Sequence, residues 1–277
     1  MDLVEAFRAT DAAVAVVGAG GKKTTMYALA DRLDRAVVTA TVRIPVFDDA
    51  VGAVHVTDDP AAATREHGFG GGPIGLVPER EREDRYRGYE PAIVDDLIAA
   101  HDGPVLMKAD GARLREFKAP NGTEPRIPSL ADVVVPVVAA GVVGEPLDDG
   151  VVHRPERVAA VARDAGLDVA VGDPITAELV GTMLASSRGG LKGVPAEAVA
   201  IPLINKVDDD ERERDARRIT KAVERRLRDE RGDGGPGDGR GDDGTAVTVP
   251  RIVLGRLLDG TVVDVVSVDD RSGPGRP

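Results

Sequence analysis

The sequence predicts an α/β protein with one mostly parallel sheet and helices on both faces of it. Three observations lead to this prediction: short apolar runs recur along the chain, stretches with helical patterning separate them, and glycine clusters or polar residues follow several runs. Strands that alternate with helices are joined by right-handed crossovers and therefore run parallel. With 277 residues, the chain is long enough for one large domain or two small ones.

The apolar runs are rich in Val, Ala, Leu and Ile and have the length of buried strands. The segments between most of them carry helical patterning or helix-start residues. Predicted strands span residues 13–17, 36–41, 53–56, 104–107, 133–135 and 198–204. Predicted helices span residues 2–9, 23–33, 91–101, 155–165, 174–186 and 208–230, and a further helix starts at Asp58-Asp59-Pro60.

Two segments between these elements show neither a helical nor a strand pattern. Residues 68–78 contain five glycines and two prolines, which predicts a loop. Residues 79–87 are densely charged, which predicts a solvated segment or the edge of a helix. Neither segment is assigned to the sheet.

Residues 231–244 consist almost wholly of Gly, Asp, Arg and Pro, a low-complexity composition that predicts a disordered insertion. The insertion separates an α/β domain of residues 1–230 from residues 245–270. Within the latter, strands at 246–254 and 261–268 are expected to complete the same domain as an edge hairpin.

The composition limits the classes of function. There is no cysteine, which excludes disulfides, thiolate metal sites and a cysteine nucleophile. The net charge of −12 argues against a nucleic-acid partner, because neutralising phosphates requires a basic face. The abundant aspartate suggests a halophilic proteome, in which salt screens charge repulsion. The acidic start, Met1–Glu5, is not followed by a long apolar run, so a cytoplasmic protein with no membrane partner is expected.

Residues 14–25 carry the most informative pattern of the chain. The apolar run Val14–Val17 ends in a glycine cluster, followed by two lysines, two threonines and a helical segment. A phosphate-binding loop has this order, because backbone N–H groups and the helix N-terminus surround an anion while a lysine reaches its outer phosphates. The alternative is a glycine turn with solvated lysines. The candidate nucleotide-binding residues here are Gly18, Ala19, Gly20, Gly21, Lys22, Lys23, Thr24 and Thr25.

The spacing departs from the common phosphate-loop pattern, in which a glycine stands five positions before the Gly-Lys pair. That position is Val16, and Gly18 begins a shortened Gly-x-x-Gly-Lys loop. Lys23 also stands where Ser or Thr would hold Mg²⁺. Two interpretations stay open: Lys22 is the phosphate lysine and the metal hydroxyl shifts to Thr24, or Lys23 is the phosphate lysine and Thr24 follows it directly.

Asp110 closes an apolar strand and precedes Gly111. In phosphate-loop proteins an acidic residue at this place holds Mg²⁺ directly or through water, and the alternative role is to cap the next turn. Three cations follow it and could neutralise transferring phosphate charge, hold an anionic substrate, or simply form a solvated basic loop. They are Arg113, Arg115 and Lys118.

The segment Asn205-Lys206-Val207-Asp208 follows another apolar run. At a strand end, Asn-Lys-x-Asp is the pattern with which guanine-nucleotide proteins read the base, because the Asp carboxylate accepts hydrogen bonds that adenine cannot offer. The pattern favours GTP over ATP, although four residues in an aspartate-rich chain can match by accident. His153, which opens a helix after a turn, is a candidate acid/base group or anion ligand, with an ordinary capping role as the alternative.

Taken together and in order, these segments resemble the YqeC family over about residues 10–210. Two positions depart from the family pattern: Lys23 intervenes in the usual Gly-Lys-Thr-Thr, and Ala40 lies in a segment that is otherwise rich in threonine. The segments that carry the resemblance are Gly18–Lys22, Thr39–Ile44, Ala109–Arg113, Phe117–Pro120, Glu124–Pro128, Gly144–Leu147, His153–Glu156 and Asn205–Asp208.

The resemblance implies a P-loop NTPase-like three-layer sandwich. It further implies an accessory protein, expected to be a weak NTPase with Mg²⁺ and GTP or ATP as cofactors, for the maturation or insertion of a selenium-containing molybdenum cofactor. The expected partners are a molybdenum hydroxylase subunit or its cofactor, and a homo-oligomer stays open. Expected catalytic residues are Lys22, Asp110, Arg113, Lys118 and His153; expected metal ligands are Thr24, Thr41 and Asp110; Asn205, Lys206 and Asp208 are expected on the nucleotide.

Two other functions remain open at this point. A shortened loop without a clear water-activating residue also fits a non-catalytic nucleotide sensor or chaperone. A small-molecule kinase or ligase could use the same loop.

Overall fold

The computed structural model describes residues 1–66, 68–232 and 247–268, and within these ranges it confirms the predicted α/β class. The helices are α1 (Leu3–Ala6), α2 (Lys22–Ala30), α3 (Pro60–Glu66), α4 (Pro91–Ala100), α5 (Pro155–Asp164), α6 (Ala177–Ala185) and α7 (Asp210–Gly232). The strands are β1 (Ala13–Gly18), β2 (Val37–Ala40), β3 (Ile44–Pro45), β4 (Ala53–Val56), β5 (Ile74–Val77), β6 (Arg85–Tyr86), β7 (Val105–Lys108), β8 (Phe117–Lys118), β9 (Val133–Ala139), β10 (Val152–His153), β11 (Val199–Ala200), β12 (Leu203–Asn205), β13 (Arg251–Arg256) and β14 (Thr261–Ser267).

Ten of these strands form one sheet in the order β14-β13-β12-β9-β1-β7-β2-β5-β4, with β11 pairing beside β12 on β9. Every pairing in this sheet is parallel except that of β13 with β14. The glycine-loop strand β1 therefore lies at the centre, two strands away from β12 on one side and from β2 on the other. Two small two-stranded ladders, β8 with β10 and β3 with β6, lie outside this sheet.

Alternate residues of β1 enter two separate cores, one on each face of the sheet. Val14 and Val16 pack with buried residues of α1 and α2. Ala13, Ala15 and Val17 pack on the opposite face, where α3 to α7 contribute their apolar residues. Because both faces are covered, the central strands are apolar at nearly every position, which is why they were recognisable as continuous apolar runs.

The predicted loop at residues 68–78 is wrong in its second half, because Ile74–Val77 is the buried strand β5 between β2 and β4. Gly75 belongs to this strand for a packing reason: a Cβ there would lie 2.5 Å from the ring of Phe47. The predicted solvated segment 79–87 also contains β6, whose Tyr86 is buried and packs edge-on against Phe47. Glycine content at 68–78 predicted a loop and charge density at 79–87 predicted a solvated segment or helix edge, but tertiary packing places a strand in each segment.

The predicted strand at 198–204 is divided into β11 and β12, which both pair with β9. At the C-terminal end, β13 pairs parallel with β12 and antiparallel with β14, so the last strands extend the same sheet as an edge hairpin. Residues 231 and 232 still belong to α7, and the rest of the segment predicted to be disordered, 233–244, lies outside the described residues. No helix in the described ranges combines the length and the apolar composition that a membrane crossing requires.

Candidate functional site

The carboxyl ends of the central strands bring the glycine loop, Asp110 and Asn205 together at one edge of the sheet. The backbone N–H of Gly18, at the end of β1, donates to Asp110 Oδ2 at 2.8 Å. From the other side, Asn205 Nδ2 donates to the carbonyl of Gly20 at 2.9 Å. Ligand sites in parallel sheets form at this edge, because polar groups follow the buried strands there.

The glycine loop depends on glycine at three positions. Gly18, Gly20 and Gly21 have φ values of 87°, 88° and 130°, a region that residues with a Cβ rarely adopt. Space is equally restrictive, since a Cβ on Gly18 would lie 2.3 Å from the carbonyl oxygen of Val137. A Cβ on Gly21 would lie 2.1 Å from the Asn205 amide nitrogen. The loop backbone thus passes directly against β9 and the Asn205 side chain.

This conformation leaves a run of backbone N–H groups without acceptors. The N–H groups of Gly18 and Ala19 are bound to Asp110 and to the Val137 carbonyl. Helix α2 then begins at Lys22 with Gly21 as its N-cap, and no side chain caps it. Within the described chain, the N–H groups of residues 20–24 have no hydrogen-bond acceptor. A helix N-terminus with consecutive free N–H groups is an arrangement suited to an anion.

A buried ionic cluster lies beneath the loop. Asp110 is 2% exposed and contacts two ammonium groups, Lys22 Nζ at 2.9 Å and Lys118 Nζ at 2.8 Å. Lys22 also donates to the Gly18 carbonyl. Lys118 is shared with Glu124 at 3.2 Å, and Glu124 in turn accepts from Arg154 at 2.8 Å. The cluster therefore connects the glycine loop to the start of α5, where Arg154 precedes the first turn.

Electrostatics keep Asp110 ionised. Burial acts to raise the pKa of its carboxyl, but the charges and hydrogen bonds of Lys22 and Lys118 outweigh burial and hold the pKa below its ordinary value. Glu124 behaves in the same way, because Lys118 and Arg154 overcome its partial burial and lower its pKa. Breaking one of these contacts would leave a charge buried without its partner, which is costly.

A cleft of about 380 Å³ opens above the start of α2. Seven of its lining residues are cationic and one, Glu116, is acidic, in a chain whose net charge is −12. Such a concentration of positive charge favours an anionic ligand. The lining residues are Gly20, Gly21, Lys22, Lys23, Thr24, Arg43, Pro45, Arg85, Lys108, Gly111, Ala112, Arg113, Leu114, Arg115 and Glu116.

Lys108 also lines this cleft, and the sequence analysis did not assign it to the site. It is 7% exposed, and its Nζ donates to the backbone carbonyl of Arg43 at 2.8 Å. Burial, together with the charges of Lys22 and Lys118, lowers the pKa of Lys108 to about 7. The sequence did contain a signal for this assignment: Lys108 is the last residue of an otherwise apolar strand, so its side chain lies at the carboxyl edge of the sheet.

The three threonines predicted at the site differ in whether their hydroxyl groups already have hydrogen-bond partners. Thr25 is buried and donates its hydroxyl to the Gly21 carbonyl, and Thr41 is buried and donates to the Arg126 carbonyl at 2.6 Å. Thr24 lines the cleft, and within the described chain its hydroxyl has no partner. The described residues also contain no group of three or more His, Asp or Glu side chains arranged to hold a metal ion. Of the predicted metal ligands, Thr24 therefore presents an unengaged hydroxyl to the cleft, whereas Asp110 is buried between two ammonium groups and Thr41 is buried with its hydroxyl proton on the Arg126 carbonyl.

The first residue of the Asn205–Asp208 segment stabilises the glycine loop. Asn205 is buried, and besides its bond to Gly20 its Oδ1 accepts from the Leu257 N–H at 3.1 Å. Lys206, with a φ of 59°, points its ammonium to Glu116 Oε1 at 2.6 Å. Asp208 is exposed. The Asn205 amide thus acts on the loop backbone, while Lys206, paired with Glu116, and Asp208 lie at the surface on the β12 side.

The remaining predicted catalytic residues occupy two different environments. Arg113 is exposed, has a φ of 49° and lines the cleft. Lys118 belongs to the buried cluster, and His153 pairs beside it in the β8–β10 ladder, so neither of them lines the cleft. Burial and the charges of Arg154, Lys118 and Arg113 lower the pKa of His153 to about 4, which makes it a neutral imidazole near pH 7.

Several residues at the site were missed by sequence reasoning. Glu124 and Arg154 lie in segments that carried the resemblance, but only their contacts with Lys118 reveal that they complete its charge balance. Arg85 begins β6 and Arg43 immediately precedes β3, and no sequence pattern predicted the ladder that these two strands form. Their place on the cleft depends on that ladder folding back beside β7.

The fold and the site define a class: an α/β protein whose central strand ends in a glycine loop, with a cationic cleft at the carboxyl edge of a parallel sheet. Within that class the chain belongs to the YqeC family, since the family model described as YqeC protein matches residues 14–156. The matched range contains the glycine loop, Asp110, Lys118 and His153. The chain is also 27% identical over 203 residues to "Uncharacterized protein YqeC" of Escherichia coli (strain K12), covering 70% of this chain and 75% of that protein.

Proposed function

We propose that the glycine loop binds the phosphates of a nucleoside triphosphate, GTP or ATP, and that hydrolysis there is slow. The observation that carries the proposal is the run of free N–H groups at residues 20–24, which opens onto the cationic cleft. Phosphate oxygens would take the hydrogen bonds that the loop backbone and the first turn of α2 leave unmade.

Lys22 is the lysine that the proposal places on the outer phosphates. It is the first residue of α2, and its ammonium already lies inside the loop against the Gly18 carbonyl. A bound phosphate can replace that carbonyl as its acceptor, while Lys118 keeps Asp110 neutralised. Lys23 is half-buried on the cleft wall, where the described chain offers its ammonium no carboxylate, and it would add charge at the rim.

Mg²⁺ accompanies most bound triphosphates and keeps several water ligands of its own, supplying positive charge to the phosphate oxygens. In this site the Thr24 hydroxyl would hold it. Asp110 would become a second ligand only if Lys22 left its carboxylate for the phosphates. Arg113, on the loop over the cleft, would then neutralise charge on the outer phosphates.

The base would lie on the β12 side. Lys206 and Asp208 are exposed there, directly after the residue that braces Gly20. The Asp208 carboxylate offers acceptors that favour guanine, so GTP is the preferred nucleotide in this proposal.

For the biological task, we infer an accessory role in the maturation or insertion of a selenium/molybdenum cofactor into molybdenum hydroxylases. Membership of the YqeC family supports it, because the family resemblance implies that task. A hydroxylase subunit or its cofactor would then be the partner.

Equilibrium binding of GTP and ATP, followed by a steady-state phosphate-release assay, tests the nucleotide part. We expect micromolar or tighter binding and slow release, with Lys22→Ala weakening binding about 10- to 150-fold and slowing release further. The absence of binding for both nucleotides in the wild-type chain would refute it. Co-purification of the native chain with a molybdenum hydroxylase subunit tests the accessory role.

A nucleotide sensor or chaperone that binds without turnover is the second candidate. It is favoured by the burial of Asp110 between Lys22 and Lys118, because two ammonium groups beside the carboxylate would repel a metal ion. Tight binding with no phosphate release, even when the partner is present, would select the sensor.

A further inference from the structure

The cations of the cleft are more widely spread than one nucleotide requires. Neighbouring strands lie about 4.8 Å apart, so β12 and β2 are each displaced by about 10 Å from β1, in opposite directions. In the proposed function the phosphates lie at the end of β1 and the base lies beside β12. Lys108 ends β7 on the opposite side of β1 from β12, and Arg43 and Arg85 line the cleft together with it.

These three cations come from three separate elements that meet at one end of the cleft. Lys108 ends β7, Arg43 immediately precedes β3, and Arg85 begins β6. The β3–β6 ladder sets Ile44 opposite Tyr86 and Pro45 opposite Arg85. The contact of the Lys108 ammonium with the Arg43 carbonyl ties this ladder to the sheet. The convergence is therefore built into the fold.

The charges at this end of the cleft are available to a ligand. Lys108 has no carboxylate within ion-pair distance among the described residues, and its acceptor is a neutral carbonyl. Its pKa of about 7 leaves it partly protonated near neutral pH, and a bound anion would favour the charged ammonium. Glu81 holds Arg43 through two hydrogen bonds, and Asp84 pairs with Arg85; both pairs lie at the protein surface. Solvent screens such surface pairs, so a ligand anion can compete with Asp84 for Arg85 and, against the two-point contact of Glu81, for Arg43.

We propose that the end of the cleft bounded by Arg43, Arg85 and Lys108 binds the anionic group of a second substrate, next to the terminal phosphate of the bound nucleotide. This inference rests on the proposed function and deepens it. The second substrate carries a phosphate or carboxylate group, which two arginines and a lysine recognise. Pro45, opposite Arg85 in the ladder, gives this end of the cleft an apolar contact for the rest of that molecule, and the 86% exposed Leu114 adds apolar surface elsewhere in the lining.

The test uses the full chain and inorganic phosphate as the probe. The chain is first saturated with a non-hydrolysable GTP or ATP analogue, and phosphate is then titrated calorimetrically in low-salt buffer. We expect the nucleotide-bound protein to bind one phosphate. The double variant Arg43→Gln/Arg85→Gln should weaken that phosphate about tenfold or more, while the nucleotide Kd changes by no more than about twofold.

A matched control removes two arginines from the same segment that do not line the cleft. Arg82 and Arg87 are both exposed, and Arg82→Gln/Arg87→Gln should leave the phosphate affinity close to that of the wild type. A control that weakens phosphate as much as the cleft variant would mean that net charge alone is responsible and would overturn the proposal.

Three further results would also overturn it, and they separate it from the proposed function. If nucleotide binds but no phosphate follows, the second-substrate site does not exist and the nucleotide site stands. If Arg43→Gln/Arg85→Gln weakens nucleotide and phosphate equally, these arginines hold the nucleotide itself. If neither nucleotide binds to the wild-type chain, the proposed function and this inference both fall.

Discussion

Asp110 Oδ1 lies 2.9 Å from the ammonium of Lys22, and both side chains are almost wholly buried, with 3% and 6% of their surface exposed. The carboxylate after β7 therefore holds the first lysine of α2 inside the glycine loop. Lys118 contacts the other oxygen of the same carboxylate at 2.8 Å. Because Asp110 has two cationic partners, Lys22 can turn to a phosphate without leaving Asp110 unpaired.

This arrangement predicts which of the two adjacent lysines contacts phosphate. Lys22→Ala should lose a charge-assisted interaction of about 1.5–3 kcal/mol, or roughly 10- to 150-fold in nucleotide Kd. Lys23→Ala removes a half-buried cation at the rim and should cost about 1 kcal/mol or less. Both Kd values are measured by calorimetry, with thermal unfolding as a check on folding. A larger loss for Lys23→Ala would show that the second lysine is the phosphate ligand.

The buried cluster predicts a large stability effect at Asp110. Asp110→Asn keeps the shape but leaves Lys22 and Lys118 without their shared counter-charge, which should lower the free energy of unfolding by about 3–5 kcal/mol. Urea unfolding at pH 7 measures it. Asp31→Asn is the control, because Asp31 is 85% exposed and 3.8 Å from Arg32.

The same substitution should change the response to acid. The pKa of Asp110 is lower in the folded state than in the unfolded state, so its stabilisation is complete above the ordinary carboxyl pKa of about 3.9. It is lost as the pH falls from there through the folded-state value. Asp110→Asn should therefore lose less stability over this acidic range than the wild type; equal losses would contradict the cluster.

Alanine substitutions at two glycines with the same φ distinguish the cost of backbone strain from the cost of a steric clash. Gly18 and Gly144 both have a φ of 87°, but a Cβ on Gly144 would meet nothing within 4 Å. Gly144→Ala should cost only the left-handed strain of about 1–2 kcal/mol. Gly18→Ala adds the clash with Val137 and should cost about 1–3 kcal/mol more, as well as nucleotide affinity. Equal unfolding free energies for the two variants would mean that the loop relaxes away from β9.

The Asn205–Asp208 segment predicts two separable phenotypes. Asn205→Ala leaves the Gly20 carbonyl and the Leu257 N–H unpaired, so the free energy of unfolding should fall by about 1–3 kcal/mol. Asp208→Ala alters an exposed side chain and should leave stability unchanged, while GTP loses its advantage over ATP. The measurements are urea unfolding and competition between the two nucleotides. If the ratio of GTP affinity to ATP affinity is the same in Asp208→Ala as in the wild type, the proposal that Asp208 reads guanine is wrong.

The lowered pKa of Lys108 predicts that the free energy of unfolding depends on pH above neutrality. Its pKa is about 7 in the folded protein, whereas an unfolded lysine has a pKa of about 10.4, so the unfolded chain binds more protons between these values. Stability from this group therefore rises with pH, by up to about 1.4 kcal/mol per pH unit. Lys108→Met should remove that rise. Parallel stability curves for the wild type and the variant between pH 7 and 10 would contradict it.

The predictions from sequence succeeded where local composition and burial agree. The central strands are covered on both faces, so their apolar runs identified them, and polar residues after β1, β7 and β12 correctly indicated a shared edge. The prediction failed at β5 and β6. Gly75 accommodates the Phe47 ring and Tyr86 is buried beneath charged neighbours, and neither fact is visible in a local pattern.

By itself, the sequence determined the α/β class, the glycine loop and the residues that lie at the carboxyl edge, because these follow from the order of apolar and polar residues along the chain. Tertiary structure decided which of those residues touch each other. Asp110 could have been a free metal ligand, and the fold instead places it between Lys22 and Lys118. Only the long-range packing of the β3–β6 ladder beside β7 brings Arg43 and Arg85 to Lys108, since contacts between elements distant in sequence depend on how the sheet assembles.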